Sequence, residues 1–301
     1  MKKLLIILAL FLFHNARAQK IDRMELLRDV QTLSSDEYEG RKTGTPGNKK
    51  AADYIVSRFK EIGLSSFENE YKQPFTFKNR KDENIEGTNL IAWIKGETAD
   101  VIVISAHYDH IGINNGQVFN GADDNASGVA VILSMASYFK KHQPKNTLLF
   151  IAFDAEEMGL QGSKAFLKKP LPAKENIKLN INLDMVSHND KSELYAAGTY
   201  KNPRIKEIIK GADKNTGIRI KFGHDLPGTG SDDWTMQSDH GSFAKENIPF
   251  LYFGVEDHPD YHKPTDVFTH INQDFFYASS NAILQSAILL DNKLTHLKSV
   301  N

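Results

Sequence analysis

The sequence predicts an α/β fold: a single domain with a central mixed, mostly parallel β-sheet flanked by helices. Three observations carry this expectation. The apolar runs 101–106 and 148–153 are continuous rather than alternating, the pattern of strands buried on both faces of a sheet. Such runs alternate along the chain with stretches of helical spacing. The runs also end in polar residues, which is where ligands sit in open α/β sheets: His107 after the first, Glu156 and Glu157 after the second, and Asp184 after 177–183.

Taken in order, residues 1–18 read as an export leader: Lys2 and Lys3 at the start, an apolar run over 4–13, and the small-x-small triplet Ala16-Arg17-Ala18. A run of about ten residues falls short of the ~20 that span a bilayer. The expected mature domain is therefore 19–301, periplasmic or secreted, with no stable membrane anchor. Helical spacing follows over 22–33 (Met24, Leu26, Leu27, Val30) and 46–62 (Ala51, Tyr54, Ile55, Phe59), the latter opening on Pro46. Between them, 38–45 has the glycine and polar content of a loop, which either approaches the site or forms a plain surface connection. Strands are expected over 75–78, 89–94, 101–106, 147–153, 177–183, 218–222 and 250–253. Helices are expected over 127–141, 163–167, 203–212, 242–246 and 273–294. No repeat, low-complexity tract or interdomain linker interrupts the series.

Composition narrows the function. Apolar residues at 40% and charged residues at 25% exclude a disordered chain. Lys plus Arg (37) nearly cancels Asp plus Glu (38), so no global field draws in nucleic acid or an anionic membrane. The absence of cysteine rules out disulfides and thiolate chemistry, so any metal must be held by His, Asp and Glu.

The adjacent acids Glu156-Glu157 are the strongest single signal. Two carboxylates where a buried strand runs out repel each other and lose hydration, so they need something positive, most simply a divalent metal. Adjacent side chains point in different directions, so one suits metal ligation while the other faces a bound water. In His107-Tyr108-Asp109, an extended backbone puts Asp109 on the face of His107, where its carboxylate would accept the second ring N–H. In the segment 121–128, Asp123 or Asn125 caps the following helix, and Asp124 between them is assigned to bridge two cations ~3.5–4 Å apart. Asp184 closes an apolar strand. His262 lies in Tyr261-His262-Lys263-Pro264-Thr265-Asp266. Each alone would be a turn, cap or surface residue; their order on one topology gives them a common purpose.

With Ser105–Asp109, 121–128, 153–163, 182–185, Ser238-Asp239-His240 and 260–266 in place, the chain resembles the secreted zinc aminopeptidases of family M28. Similarity extends toward the start through 35–41 and 43–47. The resemblance implies a zinc exopeptidase, phosphorylase/hydrolase-like fold with two Zn2+ ions. It implies that His107 and Asp184 hold one zinc, Glu157 and His262 the other, and Asp124 both. It further implies Glu156 as general base, Asp109 orienting His107, and a cis peptide at Asp124-Asn125. The expected reaction is removal of N-terminal residues from peptides, with a water shared by two cations as nucleophile. Some members carry a Tyr upstream of Ser-Asp-His. Here Trp234-Thr235-Met236-Gln237 precedes it, leaving Tyr252, Tyr261 and His240 as candidate oxyanion donors. Trp234, Tyr252, Phe243 and Phe253 are candidates for an apolar specificity pocket, with Tyr252 and Phe253 read first as core. Two other functions compete: a one-zinc N-terminal glutaminyl cyclase, and a binding ectodomain without catalysis. The full set of ligands and base argues against both.

Overall fold

Four parallel strands form the heart of the sheet, and their order decides where the chemistry can sit. The computed structural model describes residues 20–67 and 70–297; the leader read at 1–18 lies outside them. Strands β1 (Ser65–Ser66), β2 (Lys72–Lys78) and β3 (Asn84–Ile94) precede β4 (Thr98–His107). A small hairpin, β5 (Gly112–Asn114) and β6 (Gln117–Phe119), separates β4 from β7 (Asn146–Phe153). β8 (Ile177–Leu183), β9 (Glu193–Ala197), β10 (Arg219–Phe222) and β11 (Phe250–Gly254) complete the set. The main sheet runs β1-β3-β7-β4-β8-β11-β9-β10, with β2 on β3. β7, β4, β8 and β11 are mutually parallel, whereas β3 pairs antiparallel with β7 and β9 antiparallel with β11. The sheet is mixed with a parallel centre, as the buried apolar runs require.

Alternation along β4 divides the core. Ile102, Ile104 and Ala106 face the layer of α1 (Arg23–Leu33), α2 (Pro46–Ile62), α3 (Gly128–Lys141), α5 (Pro203–Ile209) and α7 (Gln273–Lys293). Val101 and Val103 face Phe166 and Leu167 of α4 (Gln161–Lys168) and Phe243 of α6 (His240–Lys245). Sequence-encoded caps set the helix starts: Asp22 accepts from Met24 and Glu25 N–H, Thr45 from Asn48, and Asn272 from Phe275. No helix among the described residues is long and apolar enough to cross a membrane.

Most expected elements fall within a few residues of their observed bounds. β1, β9 and the β5/β6 hairpin have no counterpart in the expectation, being short and without a continuous apolar run. The segment 38–45 is not simple loop: Asp36–Arg41 forms a 3-10 turn, and its Arg41 bonds the main-chain carbonyls of Tyr108, Asn120 and Gly121.

Candidate metal centre

Register brings the strand ends to one level. His107 pairs with Phe153, Ser105 with Asn182, and Phe253 with Leu183, so the residues just beyond β4, β7, β8 and β11 emerge on a common edge. Ala155, with φ of 57°, then turns the chain and sends Glu156 and Glu157 apart.

His107, Asp124 and Asp184 converge: His107 Nε2 lies 3.2 Å from Asp184 Oδ1 and 3.3 Å from Asp124 Oδ1. On the other oxygen of Asp124, His262 Nε2 lies 3.1 Å away, and it is 3.5 Å from Glu157 Oε1. His110, which the sequence reading did not single out, places Nδ1 2.8 Å from Glu157 Oε1 and 3.6 Å from Asp124 Oδ2. Two groups of donor atoms, His107/Asp124/Asp184 and His110/Asp124/Glu157, each lie within 4.8 Å of one another and share Asp124. Only its position three residues after His107 could have pointed to His110.

The segment carrying Asp124 is held from several sides. Asp266 accepts from the N–H of Asp123 (2.8 Å) and of Asp124 (3.0 Å). The N-cap position of α3 is Ser127, whose side chain does not cap it; Asn125 Oδ1 instead accepts from the N–H of Gly128, the first helical residue, at 3.0 Å, while Asp123 accepts from Ser187 and His258. The Asp124-Asn125 peptide is cis. A Cβ on Gly121 would sit 2.0 Å from the Asp124 carbonyl oxygen, and Gly121 has φ of +56°, so only glycine fits this entry.

Asp109 acts differently from the geometric expectation. His107 Nδ1–H donates to the Asp109 carbonyl at 3.1 Å, while the carboxylate lies 3.6 Å away. That carboxylate accepts from the N–H of Glu156 (3.0 Å) and Glu157 (3.3 Å). The reason is that the chain leaves the sheet at His107, so the two-residue periodicity does not reach Asp109. Its carbonyl leaves Nε2 of His107 as the acceptor facing Asp124 and Asp184, and its side chain anchors the Glu156-Glu157 turn.

Electrostatics separates the two glutamates. Burial and Asp124 would raise Glu157, but hydrogen bonds from His110 and His262 bring it to about 2. Burial, reinforced by Asp184, Asp239 and Glu157 against the pull of His107, pushes Glu156 well above the usual carboxyl range. Hydrogen bonds with Asp124 and Glu157 overcome burial and lift His262 to about 10. Among the described residues, only histidines form ion pairs with Asp124, Glu157 and Asp184; no Lys or Arg does. A crowded set of imidazole nitrogens and carboxylate oxygens, with no Lys or Arg paired to those carboxylates, fits divalent metal, zinc above all.

Glu156, Trp234, Tyr252, Tyr261 and Met185 line a cavity of about 80 Å³ beside these groups. Tyr252 therefore serves the cavity as well as the core, and its hydroxyl donates to the Asp184 carbonyl at 3.1 Å. Phe243 and Phe253 are fully buried core and do not reach it. His240 is also buried away from it, with Nε2 on the Trp234 carbonyl.

Fold and site together define a hydrolase-type α/β protein with a two-centre donor cluster. Residues 89–287 match Peptidase family M28, and the chain belongs to that family. It is 32% identical over 248 residues to Aminopeptidase YwaD of Bacillus subtilis, covering 78% of this chain and 49% of that protein. The chain spans about half the length of the curated relatives it matches. In fold it resembles an aminopeptidase from Aneurinibacillus sp. strain AM-1, with a TM-score of 0.74 at 19% identity, covering 90% of this chain and 94% of that one. It is equally like the glutaminyl cyclase of Porphyromonas gingivalis, with a TM-score of 0.74 at 19% identity over 89% of this chain and 98% of that one.

Proposed function

We propose that this chain is an aminopeptidase that uses two zinc ions and is exported as the mature domain 19–301. The observation that carries this reading is the pair of donor groups joined through Asp124, with Glu156 beside them, its backbone held by Asp109 and its carboxyl group engaged by no hydrogen bond among the described residues. His107 and Asp184 would hold one ion, Glu157 and His262 the other, and Asp124 both, with His110 steadying Glu157. When bound, the ions supply an acidified water, its pKa drawn from about 15.7 toward ~7, and polarise the scissile carbonyl.

The remaining work falls to the chain. Glu156, whose proton affinity is raised by burial and the neighbouring acids, would in its ionised form take a proton from water and return it to the departing amine. Asp109 holds Glu156 in place through the backbone and fixes the His107 tautomer. The small cavity faced by Trp234 and Tyr252 would receive the first side chain of the peptide.

The test is metal analysis of the exported protein together with Glu156→Gln. Two zinc ions per chain, a mature start at Gln19, and a loss of about 10² or more in kcat on aminoacyl substrates are expected. Fewer than two ions, or a variant with near-normal turnover, refutes the reading. A Gln-initiated peptide that loses ammonia instead of its first residue would establish the cyclase in its place.

A further inference from the structure

Glu157 stands in the wall of two cavities that share no other residue: the small one beside the candidate metal centre and an open cleft of about 860 Å³. The small cavity suits the first residue of a peptide. A substrate longer than one residue would extend beyond it, and the open cleft that shares Glu157 is a candidate path.

That route is unusually cationic for a chain of net charge −1. Its walls carry Lys42, Lys78, Arg80, Lys81 and Lys164, against only Glu83 and Glu157. The cations come from three separate segments: the stretch after the Asp36–Arg41 turn, the β2–β3 connection and α4. Lys78 is paired with Asp82 at 2.7 Å, and Lys164 donates to the Gly159 carbonyl at 2.7 Å. The side chains of Lys42, Arg80 and Lys81 are exposed and enter no ion pair among the described residues. A hairpin tip alone would be an ordinary solvated surface; convergence from three segments on one cleft beside the candidate metal centre gives these charges a direction.

We infer that this cleft is a carboxylate-selective subsite for the part of the peptide downstream of the scissile bond. The carboxylates it takes are Asp or Glu side chains or a free C-terminus. The inference rests on the aminopeptidase reading and names its substrate class. Several uncompensated cations raise the local concentration of an anionic substrate and orient it, and the effect is screened by salt.

The experiment compares kcat/KM on tetrapeptides Ala-Ala-Xaa-Xaa, with Xaa being Asp, Ala or Lys and each made as free acid and as amide. They are run beside an alanine anilide that carries no downstream peptide, on zinc-loaded wild type and on Arg80→Glu/Lys81→Glu. The wild type should favour carboxylate-bearing peptides over lysine peptides by about fivefold or more at low salt. The preference should collapse near 1 M salt, where the screening length is ~3 Å. The double variant should lose or invert it while turning over the anilide within about twofold of wild type, because both altered side chains are exposed. A preference kept by the acidic amides assigns it to side chains, and one confined to free acids assigns it to the terminus; either supports the subsite. Turnover of the anilide with no preference, or a preference that survives the double variant, overturns the subsite alone. An anilide that the zinc-loaded wild type does not hydrolyse overturns the aminopeptidase reading, and the inference falls with it.

Discussion

Replacing Arg41 by lysine tests whether the candidate centre is built by its ligands or by what lies behind them. Arg41 is fully buried, and its guanidinium donates to four main-chain carbonyls: Leu33 at 2.7 Å, Tyr108 at 2.9 Å, Asn120 at 2.5 Å and Gly121 at 2.9 Å. Burial lowers its pKa to about 10 despite the acids around it, so it remains a cation at neutral pH. Tyr108 separates His107 from Asp109, and Gly121 opens the segment that ends in Asp124. One side chain therefore ties two donor-bearing segments to α1. A lysine ammonium has three donors at one point and cannot reproduce a planar fork that serves four carbonyls. If two carbonyls lose their charged partner at about 1.5–3 kcal/mol each, the cost is about 3–6 kcal/mol, a large part of a typical domain stability of about 5–15 kcal/mol. At ~2–4 °C per kcal/mol, the melting temperature of the chelator-treated protein should fall by about 6 °C or more, measured by circular dichroism. Zinc affinity, measured by chelator competition, should fall about 10- to 100-fold because the ligands lose their support. A variant that melts within about 2 °C of wild type and binds zinc equally well would refute the reasoning.

Two further outcomes follow from groups around the centre. Tyr261 lines the small cavity and stacks on His262 at 4.0 Å, and its hydroxyl bonds to no described residue, whereas that of Tyr252 is committed to Asp184. Tyr261→Phe should therefore lower kcat on aminoacyl substrates by about 10²-fold with little change in KM; unchanged kcat would show that the oxyanion is stabilised elsewhere. His258 holds the Asp123 carboxylate at 3.0 Å, and this contact raises its pKa against the effect of burial. A raised histidine pKa confers stability that is complete below about 6.5 and disappears as pH climbs through the folded value. The melting-temperature gap between wild type and His258→Gln should accordingly narrow from about pH 6 to about pH 9, and a gap that widens would contradict the sign.

Much of this was legible because burial on both faces of a strand writes a near-continuous apolar run, as in β4, β7 and β11, whereas β8 alternates its apolar residues with the buried Asn180 and Asn182. Their ends could be found from composition, so His107, Glu156, Glu157 and Asp184 stood out before any geometry was known. What stayed hidden depends on backbone direction outside regular structure. The role of Asp109 required knowing that the chain turns after His107, and His110 faces Glu157 only because of that turn. The role of Arg41, which lies in the resembling stretch 35–41, was not legible because its partners are carbonyls, which every residue has. β9, with Glu193 and Tyr195 only partly buried, lacks the apolar continuity that marks the central strands.

Glu156 and Glu157 show how far neighbouring identical side chains can be driven apart. Both begin with the same intrinsic acidity and both lose water to burial, so burial cannot distinguish them. The distinction comes from the turn at Ala155, which delivers Glu157 to two imidazoles and leaves Glu156 among Asp184, Asp239 and Glu157 itself. The first environment keeps a carboxylate ionised, as a metal ligand would need to be; the second raises the proton affinity of a carboxyl group, as the proposed proton carrier would need. The repulsion that marks the pair in the sequence is thus not removed by the fold. It is directed, so that the negative charge of one glutamate and of the acids beside it helps to set the proton affinity of the other.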